Sequence, residues 1–267
     1  MSRAASLEVL RERIRRIEVP ARHGVLPFGT AAIDRALPGG GLALGGLHEI
    51  AGAGPDEEDG AAAAAFAAGI LARIGPAGAG GGPVLWCLRR PDLYGPGLAA
   101  HGLDPARLVL VMARRDDEIL WAVEEGLRAD SASGPAAGLA AVVGEVGRLP
   151  MVAGRRLQLA AERSGVTALL LRRWRSGAEA AAERERPSAA LTRWRIAALA
   201  SMDVNEPGIG RPRWRLELLR CRGGMPAAWD VEVADAAGHV CLSAELADRP
   251  AAPFRFRPER EPLRRAG

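Results

Sequence analysis

Five short, largely apolar runs mark the first 171 residues: Leu47–Ile50, Val84–Leu88, Leu108–Met112, Leu139–Val143 and Thr167–Leu171. The segments between them carry helix signatures: an alanine-rich stretch with no breaker before Gly69, then Leu98–His101, Asp117–Leu127 and Arg155–Ser164. Runs such as Val84–Leu88 and Leu108–Met112 show no polar alternation and predict strands buried on both faces. Strands and helices that alternate at this spacing can close only as right-handed βαβ units on a mostly parallel sheet. The pattern therefore predicts an α/β fold.

The first strand leads into Ala51-Gly52-Ala53-Gly54-Pro55-Asp56-Glu57-Glu58-Asp59-Gly60, with the alanine-rich helix behind it. Strand, glycine loop and helix form the scaffold of a phosphate-binding loop, in which backbone N–H groups and a helix N-terminus hold polyphosphate. That chemistry also needs a Lys on the phosphates and a Ser or Thr on Mg²⁺ at the helix start. This chain contains no lysine, and Asp56 to Asp59 stand where those residues belong. A like-charge contact at ~4 Å costs about 1 kcal/mol in water and several times more when partly desolvated, so four carboxylates there repel a triphosphate. An ordinary acidic turn capping a helix fits the same residues, since carboxylates favour that end of the dipole.

A net charge of +4 permits nucleic-acid or acidic partners without requiring them. Cys87, Cys221 and Cys241 are isolated, and with no long apolar segment the chain is expected in the cytoplasm, away from membranes. Before the core, Leu7–Glu18 has the spacing of an amphipathic helix. Thr30 is the expected N-cap of a short helix, Ala31–Ala36. Arg172–Ser188 is charged and weakly patterned and predicts a mobile loop. Four strands are expected after it: Arg193–Leu199, Arg213–Arg220, Trp229–Val233 and His239–Leu242, the last two as a hairpin. The tail has four prolines from Pro250 onward and predicts disorder unless bound. The organisation is thus a helix within residues 1–22, a core over 23–245 and a tail over 246–267.

From Gly29-Thr30-Ala31-Ala32-Ile33-Asp34, through Gly39–Gly41, to Leu47-His48-Glu49-Ile50-Ala51-Gly52, the chain resembles the entry to a RecA-type recombinase core. Gly102–Leu108 resembles the next characteristic turn and strand, and the likeness extends from Leu26 to Val233. Within that group the nearest resemblance is to the ImuA family, degenerate relatives of RecA, carried by Ala140–Glu145, Arg155–Glu162 and Arg213–Gly223. It implies a RecA-like three-layer core with C-terminal antiparallel strands. It also implies an accessory role in SOS-induced translesion synthesis, with an ImuB-like inactive Y-family polymerase relative and an error-prone replicative-type polymerase as partners. A second reading is a DNA-binding recombinase paralogue that modulates RecA filaments, with RecA and DNA as partners. A third is an ATPase that holds phosphate through Arg.

Set against a RecA-like ATPase, the chain departs where catalysis sits. Gly144 replaces the metal-binding aspartate, with Glu145 one place late and expected on the other face of its strand. Arg89 and Arg90 take the place of the water-activating carboxylate, and Arg173 that of the polar sensor. No cofactor and no catalysis are expected, and Gly52, Gly54, Asp56, Glu57, Glu58, Asp59 and Gly60 form a degenerate loop. No His or Cys spacing suits a metal, and His48 reads as a packed strand residue.

Arg-Trp-Arg occurs three times, at 173–175, 193–195 and 213–215. Strand alternation puts each Trp opposite its two Arg, so Trp194 and Trp214 are expected inside, with Arg193, Arg195, Arg213 and Arg215 as an outer ladder. Such a ladder is either generic solvated surface or a contact face for DNA or an acidic partner. Arg172, Arg173, Trp174 and Arg175 join that candidate surface, with Trp174 free to stack on a base. Arg155 and Arg156 at a helix start are either plain surface residues or the mark of a nearby carboxylate or an anionic partner. Phe254-Arg255-Phe256-Arg257 is either a partner motif or a solvated chain end.

Overall fold

The computed structural model describes residues 23–75, 81–133, 138–201, 212–233 and 238–242. The expected N-terminal helix and the tail with Phe254, Arg255, Phe256 and Arg257 lie outside these residues. Strands β1 (Val25–Leu26) and β2 (Leu42–Ala43) form a small antiparallel pair at the entry. The main sheet contains β3 (Leu47–Gly52), β4 (Val84–Leu88), β5 (Leu108–Met112), β6 (Ala141–Val146) and β7 (Thr167–Arg172). It is completed by β8 (Thr192–Leu199), β9 (Arg213–Cys221), β10 (Ala227–Val233) and β11 (Val240–Leu242). The strand order is β11-β10-β9-β8-β3-β7-β6-β4-β5, parallel from β8 to β5 and antiparallel from β8 to β11. The α/β architecture is the one expected, helices on both faces included, and is consistent with a RecA-like core.

Six helices are described: α1 (Ala31–Asp34), α2 (Asp56–Arg73), α3 (Gly95–Ala100), α4 (Asp116–Ser133), α5 (Met151–Ser164) and α6 (Gly177–Arg184). α2 covers the front of the sheet. Its Phe66 stacks on Phe28 at 6.0 Å, and both rings tilt against Trp194, at 5.5 and 5.4 Å between centroids. α4 and α5 cover the back with Ile119, Val123, Leu127, Leu157 and Ala161. The far end of α2 is held by Arg107, whose guanidinium donates to the carbonyls of Leu71 (3.1 Å) and Ile74 (3.0 Å), where the helix dipole welcomes a cation.

Several local expectations are corrected. Thr30 sits at the N-cap of α1, but its hydroxyl donates to the Val240 carbonyl (2.7 Å), and the Asp34 carboxylate accepts from Phe28 and Gly29 N–H instead. β5 is not buried on both faces: it is the sheet edge, and Val109, Leu110 and Met112 are about half exposed. An apolar run looks the same in a central strand and at an edge, so the pattern could not separate them. Helix α5 begins at Met151, which places Arg155 and Arg156 past its first residues; Arg156 meets a carboxylate, Glu124, at 2.5 Å. His48 is wholly buried as expected, with Nδ1 at 2.7 Å from Thr192 Oγ1 and Nε2 at 2.8 Å from the Ala43 carbonyl.

Candidate functional site

The glycine loop lies at the carboxyl end of β3, between sheet and helix, as its sequence implies. The helix starts earlier than expected. α2 opens at Asp56, so the four carboxylates fill its first turn rather than a loop, and it continues through Gly69. Glu57 and Glu58 are exposed, whereas Asp59 is buried. Asp59 Oδ2 accepts the Gly54 N–H (2.8 Å) and Oδ1 the Ala198 N–H (2.9 Å). The Ala53 N–H donates to the Ile196 carbonyl (2.8 Å) and the Asp56 N–H to the Trp174 carbonyl (2.9 Å). The amides of Ala53, Gly54 and Asp56 are the kind of donor that a phosphate loop offers to an anion, and here each already has a partner in the chain. Gly52 lets the turn close: a Cβ at that position would lie 2.8 Å from Asp59 Cβ.

Arg173 ties this turn to the neighbouring strand ends. Its guanidinium bonds Asp56 Oδ1 (2.9 Å), Asp92 Oδ1 and Oδ2 (2.9 and 3.1 Å) and Glu145 Oε2 (3.0 Å). Burial works against the Arg173 charge, but Glu145, Asp56 and Asp92 together carry its pKa above the ordinary value. Burial also pushes the Glu145 carboxyl up, opposed by Arg173 and by the Trp86 indole N–H at 2.9 Å. Arg90 bridges Asp56 and Asp92, while Arg89 pairs with Asp116 at 3.2 Å. Gly60 leaves room for the central ion pair, since a Cβ there would press on Asp56 Oδ1 and lie 3.2 Å from Arg173 Nη1.

Glu145 lies on the face of β6 opposite Gly144, as expected: Gly144 faces Ile119 and Val123 of α4, and Glu145 shares its face with Val143 and Ala141, which pack with α2. The correction is to the consequence, because the one-place slip brings the carboxylate toward the loop. A cavity of about 460 Å³ opens beside the network, lined in part by Arg89, Arg90, Arg114, Glu145, Arg173 and Arg175.

The segment after β7 is not a loop throughout. Arg172 closes β7 and is buried, and α6 is capped by Ser176 Oγ, which accepts the Glu179 N–H at 3.2 Å. Trp174, expected free to stack on a base, is 6 % exposed. It packs on Ala51 and Ala180, its N–H donates to the Gly147 carbonyl (3.2 Å), and the Arg172 guanidinium lies over its ring. Arg175 is exposed.

Trp194 and Trp214 are buried on antiparallel neighbours, as alternation requires. The arginines opposite them do not make a bare basic ladder. Arg193 approaches Glu49 at 3.5 Å, Arg195 pairs with Glu217, and Arg215 reaches Glu217 (3.6 Å) and Asp230 (3.1 Å). The hydrogen bond from Arg195 holds the Glu217 carboxyl below its usual range. Arg213, half-buried, stands opposite Leu199 and Glu232.

No family model matches the sequence. Two curated relatives do: "Protein ImuA" from two strains of Caulobacter vibrioides, each 43 % identical over 231 residues, spanning 84 % of this chain and 91 % of the relative. The chain belongs to the ImuA family. For this ImuA-family chain, the sequence reading named Asp56, Arg173, Arg89, Arg90 and Glu145 but not how they join. Asp92 and Asp116, which complete the network, were missed because nothing local marks them. Among the described residues no cluster of His, Cys, Asp or Glu could hold a metal, and no helix is long and apolar enough to cross a membrane.

Proposed function

We propose that this chain is a non-catalytic accessory protein of SOS-induced translesion synthesis. In this reading it docks with an ImuB-like inactive Y-family polymerase relative and an error-prone replicative-type polymerase. Family membership supports the setting. The non-catalytic part rests on one observation: the loop amides that would bind phosphate are already taken within the chain, Gly54 by the Asp59 carboxylate and Ala53 and Asp56 by the Ile196 and Trp174 carbonyls, with the Asp56–Arg173 pair at the helix start. A nucleotide would have to displace that network and then meet Glu57 and Glu58. The DNA-binding paralogue has less support, since Arg193, Arg195 and Arg215 already face Glu49, Glu217 and Asp230.

Fluorescence titration with Mg·ATP is expected to give no saturable binding up to millimolar nucleotide; saturation at micromolar levels would reject the non-catalytic reading. Pull-down of the full chain after DNA damage is expected to co-purify the inactive polymerase relative, with loss on deleting residues 250–267. Capture of neither polymerase would reject the accessory role.

A further inference from the structure

On the back of the sheet, α4 and α5 leave an open groove of about 300 Å³ between them. Its apolar lining is Leu127, Ala160 and Leu159, the last of these 52 % exposed. Its polar lining is Arg128, Arg156 and Arg163 with one carboxylate, Glu124. Glu124 is buried and pairs with Arg128 of its own helix and Arg156 of the other, each at 2.5 Å. Arg128 also reaches Glu125 at 3.3 Å. Arg163 is exposed and has no ion pair among the described residues. Two more apolar side chains continue the stripe. Trp121, one turn before Glu124, is 64 % exposed, and Val152, one turn before Arg156, is 71 % exposed.

This face has both halves of a docking surface. Large apolar side chains left in water beside a groove offer the area that an anchoring side chain covers. The surplus of guanidinium groups over carboxylates selects an acidic occupant. The chain's own ends do not meet that condition. Residues 1–22 carry six Arg against three carboxylates, and residues 243–267 carry six against four. A second copy would set arginines against arginines. Nucleic acid suits the charge but leaves Val152 and Leu159 uncovered.

We propose that the groove between α4 and α5 docks an acidic amphipathic helix of another protein. Apolar residues on one face of that helix seat against Leu159, Trp121 and Val152, and flanking carboxylates pair with Arg156 and Arg163. The inference gives a surface to the docking role proposed above and rests on that reading.

The probe is a fluorescently labelled synthetic helix of Leu, Phe and Glu, titrated with the full chain. Its anisotropy is expected to saturate at micromolar protein and the affinity to fall as salt is raised. A version with Lys in place of Glu is expected not to bind. Leu159→Asp and Arg163→Glu, at exposed positions and folded by circular dichroism, are each expected to weaken binding by roughly tenfold. Arg222→Glu, in the turn between β9 and β10, is expected to leave it unchanged. Absence of saturable binding, or binding that neither groove variant weakens, overturns the proposal. So does a chain that ignores the peptide but binds single-stranded DNA through Arg163. In pull-down after DNA damage, equal capture of the polymerase relative by wild type and by the Leu159→Asp, Arg163→Glu double variant rejects this surface and leaves the docking role standing. Capture of neither polymerase by the wild type rejects the docking role, and this surface with it.

Discussion

Arg173→Met is expected to lower the unfolding free energy by about 3 kcal/mol, seen as a Tm drop of roughly 6–12 °C. The variant leaves Asp56, Asp92 and Glu145 gathered around one point without the cation that joins them. Glu145 is the costly one: its side chain is 4 % exposed, and burial already pushes its pKa up. Without Arg173 it takes up a proton or forces the strand ends apart. Adding Glu145→Gln to Arg173→Met removes the buried charge with its partner and should recover more than half of the loss, as chemical denaturation would show. Were Arg173 only a surface cation, the single variant would cost less than 1 kcal/mol and the second change would add to it.

Acidification from pH 7 to pH 5 is expected to remove about 2 kcal/mol through His48 alone. Burial lowers its pKa from 6.5 to about 4, although the Ala43 carbonyl pulls the other way. The unfolded chain therefore binds a proton below about pH 6.5 that the folded chain refuses until near pH 4. Stability from this group is present above 6.5, falls through that window and is fully lost below it. His48→Gln should flatten the decline between pH 7 and 5 by that amount, whatever its offset at pH 7. Parallel wild-type and variant curves would show that His48 takes up its proton without unfolding the chain.

The strand runs were legible because strands covered on both faces must be apolar throughout, and Val84–Leu88 and Thr167–Leu171 are. The Trp positions of β8 and β9 were legible because alternation has a fixed period. What failed were the inferences about Arg172 and Trp174, whose partners are distant in sequence. Arg172 reads as part of a solvated charge run, yet its carboxylate, Glu49, lies 123 residues away on the adjacent strand. Trp174 reads as exposed for the same reason. One local signal was available and passed over: Ser176 and Glu179 have capping-box spacing, and they announce α6 inside the supposed loop. At the loop itself, composition predicts repulsion of a triphosphate, but not that Asp59 accepts the Gly54 amide or that Arg173 joins Asp56 to the neighbouring strand ends.

Gly60 has a consequence for which residues the first turn of α2 can carry. The residue follows the four carboxylates of the first turn of α2, and its bare backbone is walled in by Asp56 and Arg173. Any side chain placed at that point pushes into an ion pair on which the surrounding strand ends depend. A larger residue at position 60 would thus need compensating change at positions 56 and 173.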